Sequence, residues 1–329
     1  MTKDLHLLPE EIVEIAGRPK KTKDFLDNYY KTLGDGTLEF LGIKTDFRKL
    51  DKATLGLDGL IVLGGIAGAG KTSLALQLAF TASDDGIPTL FYSLEMPRRA
   101  IFTKILNRLT KVRYSDILLK GKRYLSDTPQ GEEQKYKLST TDADRLKIEK
   151  KTFENIADKF YIRTRERDEA EINFDTVEQE INFIKADHKA ERVFVVIDHL
   201  QVFDAGDKYK PTDQIAKENI LITGFKGISE RTGAVILLIS QKNKAGFTSK
   251  GLQTIKGSVD IVYLADVVMF LESEDEGQQE QNEQIDNIIA TFGGGVIKHI
   301  DLLIAKARYN PPCKIKMEFN GEHSEFTEA

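Results

Sequence analysis

The sequence predicts an α/β fold, a mostly parallel central sheet flanked by helices, and two observations predict it. From about residue 42 onward, short apolar runs alternate with stretches of helical periodicity, the rhythm of strand-helix-strand units. The first such unit, Leu60 to Phe80, reads LIVLGGIAGAGKTSLALQLAF. Its apolar start suits a buried strand, its middle a glycine-rich turn, and its end an alanine- and leucine-rich helix.

Inside that turn lies Gly65-x4-Gly70-Lys71-Thr72, the phosphate-loop pattern in the strand-before, helix-after setting it requires. Glycines let backbone amides curl around phosphate oxygens with no Cβ in the way. A helix starting near Lys71 aims its positive end at the same anion. Gly65, Ala67, Gly68, Ala69, Gly70, Lys71, Thr72 and Ser73 are therefore the candidate nucleotide-binding residues. Lys71 is expected to reach the β and γ phosphates and the Thr72 hydroxyl to ligate Mg²⁺. The chain is expected to bind a nucleoside triphosphate.

The remaining elements follow in order. Strands are expected at Leu60–Leu63, Thr89–Ser93, Phe160–Ile162, Val193–Ile197, Ala234–Ser240, Val267–Leu271, Leu302–Lys306 and Lys314–Phe319. Helices are expected at Arg98–Leu109, Asp142–Lys159, Phe174–Lys189 and Asp213–Thr232. Residues 1–45 read as a short helical arm or linker, with helices at Leu8–Ala16 and Phe25–Leu33 around a basic GRPKKTKD stretch. That arm suits a solvated tail as well as a linker helix packed on a neighbouring subunit. Residues 46–329 form the expected main domain. Two stretches break the rhythm: 111–140, a polar and basic surface excursion, and 272–289, an acidic, glutamine-rich loop.

Composition narrows the class. With 40% hydrophobic and 30% charged residues the chain is an ordinary globular protein. No run approaches the roughly 18 apolar residues of a membrane helix, and no secretory signal is legible at the start. The single cysteine, Cys313, excludes an intrachain disulfide and fits a reducing, cytoplasmic setting. Scattered histidines give no zinc-ligand spacing. A net charge of −5 argues against a DNA-coating protein yet leaves room for a local basic channel.

Several strand ends carry candidate chemistry. FVVID, residues 194–198, ends an apolar strand in Asp198, where a carboxylate would hold Mg²⁺. FYSLEM places Glu95 just past another strand, where it could take a proton from the attacking water or merely open the next helix. AVILLIS ends at Ser240-Gln241, and Gln241 could sense the γ-phosphate or simply close the strand. The loop beyond, residues 242–258, carries Lys242, Lys244, Lys250 and Lys256 and no acid, which suits a nucleic-acid backbone or a solvated loop. Late in the chain DLLIAKAR brings Lys306 and Arg308 to one face of a strand. Arg308 could act as an arginine finger, or the pair could be solvated strand-end charges.

Taken in order these segments resemble the RecA-like ATPase domain of DnaB-family replicative helicases. The stretches that carry the resemblance are IKTDFRKLDKATLGLDGLIVLGGIAGAGKTSLALQLA, FYSLEM, FVVIDHLQVF, ILLISQKNK, KGSVDIVYLADVVMFL and DLLIAKARYNPPCKIKMEFNGEHSEF. The resemblance implies a RecA-like P-loop core with ATP and Mg²⁺ as cofactors. It also implies a homo-oligomeric, hexameric ring and single-stranded DNA as partner, along with replication or recombination proteins. By the same resemblance Glu95 is the catalytic base, Asp198 the Walker B carboxylate, and Lys306 and Arg308 the pair inserted into a neighbour's site. Lys256, Gly257 and Ser258 would face DNA in the channel. Departures from the pattern are Val259, Val262, Tyr309-Asn310-Pro311, and about 45 residues where the family has a large helical domain. The expected function is an ATP-driven motor on single-stranded DNA. The alternative is an accessory or regulatory ATPase of the same fold that acts mainly on protein partners.

Overall fold

The computed structural model describes residues 41–118, 139–166, 171–206, 208–209, 211–241, 263–273 and 297–329, with residues 22, 23 and 26 and the short strands at 123–124 and 133–134. By its contacts the chain forms two units, Met1–Glu39 and Phe40–Ala329. Nearly all described residues lie in the second. The helix expected at Leu8–Ala16, all of the one expected at Phe25–Leu33 except residue 26, the basic loop 242–258 and most of the acidic loop 272–289 fall outside the described residues.

In chain order the elements are α1 (Arg48–Thr54), β1 (Leu60–Gly65), α2 (Lys71–Asp84), β2 (Thr89–Ser93), α3 (Arg98–Thr110), α4 (Tyr114–Leu118), β3 (Arg123–Tyr124), β4 (Glu133–Gln134), α5 (Thr140–Ala157), β5 (Phe160–Thr164), α6 (Phe174–His188), β6 (Phe194–Asp198), α7 (Gln214–Thr232), β7 (Val235–Gln241), β8 (Val267–Ser273), β9 (Ile297–Ala307), β10 (Cys313–Asn320) and β11 (Glu325–Glu328). Three of the helices start at a short polar residue that caps them. Ser139, Asn173 and Asp213 accept from the backbone N–H of Asp142, Thr176 and Ala216 at 3.0, 3.0 and 2.8 Å.

Among the described residues nine strands form one sheet in the order β11-β10-β9-β8-β1-β7-β6-β2-β5. Neighbours from β8 through β5 pair in parallel, as crossover helices require. β9, β10 and β11 then add an antiparallel edge, β9 pairing with β8 and the three last strands following one another through short turns. The mostly parallel core is as expected. The antiparallel edge and β11 are additions that strand-by-strand periodicity did not distinguish.

The period-two alternation of the strands divides the core into two faces. Ile61, Leu63, Phe91, Phe194, Val196, Leu237 and Ile239 pack on the face covered by α2, while Leu60, Val62, Tyr92, Val195, Ile197 and Leu238 pack toward α6 and α7. Both faces of the central strands are therefore apolar, which is why their sequence reads as continuous runs rather than alternation. No described helix is long and apolar enough to cross a membrane.

Two expectations need correction. The sequence suggested no element between Gly42 and Leu60, yet α1 forms there, its Asp51 buried and accepting from the backbone and hydroxyl of Thr45 at 2.9 and 2.7 Å. The 111–140 excursion is also less of a free surface loop than its polarity implied. Lys111 pairs with Glu325, and Arg113 with Glu322 at 3.1 Å, so ion pairs between residues distant in sequence tether its first part to the C-terminal hairpin.

Candidate nucleotide site

The register of the sheet gathers the phosphate loop, Glu95, Asp198 and Gln241 at one rim. Gly65 pairs with Gln241, and Ser93 with Asp198, so β1, β7, β2 and β6 all end at the same edge. Carboxyl ends of parallel strands are where open α/β sheets take their ligands. The phosphate loop leaves β1 there and enters α2 at Lys71.

Gly70 is needed for two reasons. It caps α2 with φ +89°, a left-handed conformation that disfavours a side chain, and a Cβ would meet the Phe326 ring at 2.8 Å. Phe326 belongs to β11, and its backbone exchanges hydrogen bonds with the Gln77 side chain of α2, both at 3.0 Å. The C-terminal strand thus braces the floor of the loop. The first amides of α2 lack intrahelical acceptors and face outward from the helix start, as anion binding requires.

Lys71 is buried, 7% exposed, and its ammonium donates to the carbonyls of Gly65 and Ile66 at 2.8 and 2.6 Å. Burial lowers its pKa, partly offset by the carboxylates of Asp198 and Glu95. Asp198 is 4% exposed. Burial pushes its carboxyl up to about 6, against a hydrogen bond from the Thr72 hydroxyl and the charges of Lys71 and Lys104, while Glu95 adds to the rise. Thr72 and Asp198 thus place a hydroxyl and a carboxylate side by side, the hard oxygen donors that Mg²⁺ prefers.

Glu95 stands at the mouth with its side chain half exposed. Its position is set from two sides. The Ser93 hydroxyl donates to the Met96 carbonyl at 2.8 Å and shapes the turn, and the Leu94 N–H donates to the Asp198 carbonyl at 2.6 Å. His199 follows Asp198, with Nδ1 3.4 Å from a carboxylate oxygen of Glu95. Burial holds the imidazole below its ordinary pKa despite Glu95. Its buried ring nitrogens have no hydrogen-bond partner among the described residues, which marks the space beside Glu95 as one suited to a polar ligand.

Gln241 ends β7 at the same rim. The amide of Gln201 reaches the Ser240 hydroxyl at 2.8 Å and so links the turn after Asp198 to the end of β7. The basic residues Lys242, Lys244, Lys250 and Lys256, with Gly257 and Ser258, follow Gln241 but lie outside the described residues.

Lys306 and Arg308 are not part of this rim. Ala307 pairs with Val267 and Val267 with Ile61, which sets Arg308 level with Leu60, at the far end of β1 from Gly65. At about 3.3 Å per residue the two levels lie about 17 Å apart. Neither residue is a loosely solvated strand-end charge. The Lys306 ammonium donates to Ala265 and Tyr263 carbonyls at 2.6 and 3.2 Å, and Arg308 pairs with Asp266 at 2.6 Å. Burial lowers the Lys306 pKa ahead of any charge effect.

The sequence reading overlooked Lys104, His199 and Gln201. Lys104 lies on α3 with its ammonium 3.4 Å from the Ser73 hydroxyl, and burial lowers its pKa against the pull of Asp198. A signal for it was present: Ile101, Lys104, Ile105 and Arg108 follow the helical repeat of a buried face. His199 and Gln201 lie inside the matched FVVIDHLQVF segment, where only the aspartate had drawn a role.

The family model for the DnaB-like helicase C-terminal domain matches residues 42–328. The chain belongs to this family. Among individual proteins, the DnaB-like domain is 26% identical over 246 residues to the replicative DNA helicase DnaB of Helicobacter pylori strain J99, covering 72% of this chain and 45% of that protein. It is 24% identical over 301 residues to DnaB of Leifsonia xyli subsp. xyli, covering 89% of this chain and 57% of that one. The chain thus spans about half the length of these relatives. Solved structures agree on the fold. The ATPase domain of another protein superposes with a TM-score of 0.73 at 18% identity, covering 95% of this chain and all of that one. A DnaB-like replicative helicase solved for its interactions with primase gives 0.72 at 17% identity, covering 97% and 69%. The DnaB-like domain therefore has the RecA-like architecture that its motifs implied.

Proposed function

We propose that this chain is an ATP-hydrolysing motor that forms a homo-oligomeric ring, hexameric by analogy with its family, and couples hydrolysis to movement on single-stranded DNA. One observation carries the reading: Lys71, Thr72, Glu95 and Asp198 converge at one rim while Arg308 stands at the other, about 17 Å away along the strand direction. A chain built this way holds most of a hydrolytic site and offers its arginine to another copy. Family membership and the replicative helicases among its relatives support the same reading.

In this reading the loop amides and Lys71 bind the β and γ phosphates, and Thr72 and Asp198 would hold Mg²⁺, whose charge offsets that of the phosphate oxygens. Glu95 takes a proton from the water whose oxygen bonds to the γ-phosphorus as the bond to the β-phosphate oxygen breaks. Arg308 of an adjacent copy, with Lys306 beside it, meets the negative charge on the transferring group. Gln241 reports the γ-phosphate to residues 242–258, whose lysines grip the DNA backbone.

Steady-state ATPase activity with and without single-stranded DNA, at low and moderate salt, tests the proposal. Stimulation by DNA that weakens with salt supports the motor. Brisk hydrolysis indifferent to DNA moves the assignment to an ATPase that works on protein partners. Hydrolysis absent under every condition sinks both.

A further inference from the structure

We propose that Asp266 is a positioning residue for Arg308, fixing the direction in which the guanidinium leaves this chain. The inference rests on the reading of Arg308 as the group offered to a neighbouring copy. Asp266 immediately precedes β8, and its side chain is only 8% exposed. One carboxylate oxygen accepts from the Leu60 N–H and from Lys226, both at 2.8 Å. The other lies 2.6 Å from a terminal nitrogen of Arg308.

The surroundings make this carboxylate a fixed point. Gly59, with φ +66°, gives it room, since a Cβ there would lie 2.1 Å from the oxygen that Leu60 and Lys226 share. Lys226, 13% exposed on α7, already supplies the counter-charge that a buried carboxylate needs. Arg308 is different, with 58% of its side chain exposed. An exposed partner adds little to stability. Its contact with Asp266 instead removes rotational freedom from a long side chain, and a guanidinium with five N–H donors keeps donors for a second acceptor. Asp266, Lys226, Arg308 and Gly59 line one cleft of about 210 Å³.

The anchor also joins two sites. Through the Leu60 N–H, Asp266 is bonded to the first residue of the strand whose last residue opens the phosphate loop. The finger's direction is thereby referenced to this chain's own nucleotide strand. Misplacing a reacting partner by about 1 Å can cost on the order of 100-fold in rate.

Asp266→Asn keeps an oxygen for the Leu60 N–H and removes the charge that holds Arg308. We expect kcat to fall about 10- to 100-fold with the KM for ATP little changed. The deciding readout is complementation between copies. Mixed with Lys71→Ala, which retains an intact finger and anchor, Asp266→Asn should regain part of its activity, because its own phosphate loop then meets a competent neighbour. Mixed with Arg308→Ala it should regain none. A folded Asp266→Asn that turns over like wild type, or one that Lys71→Ala fails to rescue, overturns the inference. If thermal melting shows that Asp266→Asn does not fold, Asp266→Glu enters the same mixing test, with the carboxylate kept and its oxygens displaced by one methylene. Wild-type turnover by Arg308→Ala would instead remove the finger reading itself, a distinct result.

Discussion

The backbone N–H of Leu94 donates to the carbonyl oxygen of Asp198 at 2.6 Å, joining the end of β2 to the end of β6. That bond places Glu95, the next residue, beside the buried carboxylate of Asp198 without either side chain leaving its own strand end. Two acids of opposite environment result. Glu95 is half exposed and Asp198 is 4% exposed, which suits a proton acceptor at the mouth and a metal ligand at the floor.

Replacing Glu95 by Gln should separate binding from chemistry. The amide preserves shape and removes the proton acceptor, so nucleotide affinity should stay near wild type while turnover falls about 10²- to 10⁴-fold. Fluorescent-nucleotide binding alongside steady-state ATPase measures both. Lys71→Ala, in contrast, should impair both, because it deletes the cation from the phosphate cradle.

Asp198 predicts a pH effect on the nucleotide-free chain. Its folded pKa is about 6 against an ordinary value of 3.8. Across that window the folded chain keeps a proton that the unfolded chain has released, so stability falls as pH rises and the loss is complete above about 6. Asp198→Asn removes the buried charge and should stabilise the metal-free protein at pH 7 by about 2–3 kcal/mol while abolishing turnover. Chemical denaturation at pH 5 and pH 7 reads this directly. Equal stability gains at the two pH values would contradict it.

Lys104 should prove necessary although no sequence motif contains it. Its ammonium faces Asp198 from α3 and helps keep that carboxylate ionised. Lys104→Met preserves the apolar stem and removes the charge. ATPase should drop about 10-fold at pH 7 and recover partly as pH rises, since Asp198 would then need a higher pH to ionise. A pH–rate profile that falls uniformly, with no shift, would assign Lys104 to packing alone.

The lysines after Gln241 should govern DNA response rather than hydrolysis. Lys256→Ala is expected to weaken single-stranded DNA binding across all sequences and to reduce the salt slope of log K by about 0.7, the contribution of one phosphate contact. DNA-independent ATPase should be unchanged. Filter binding over a salt series is the measurement.

The strands of the central sheet were legible because both of their faces are buried, which leaves uninterrupted apolar runs such as Phe194–Ile197. The phosphate loop was legible because its glycines and Lys71 are local requirements of one turn. β11 was not, since Glu325–Glu328 is short and polar and becomes a strand only by pairing with β10. α1 escaped for a similar reason: its buried Asp51 reads as a surface residue until Thr45 is seen to satisfy it.

By itself the sequence determined the α/β architecture and singled out the phosphate loop, Glu95, Asp198 and Arg308 as candidates, because each stands out within a pattern a few residues long. Only the tertiary structure decided which of them meet. Strand register brings Glu95 and Asp198 to one rim and leaves Arg308 at the other, tied to Asp266. Pairing register is set by long-range packing of the two core faces, and no local pattern encodes how far apart two strand ends come to rest.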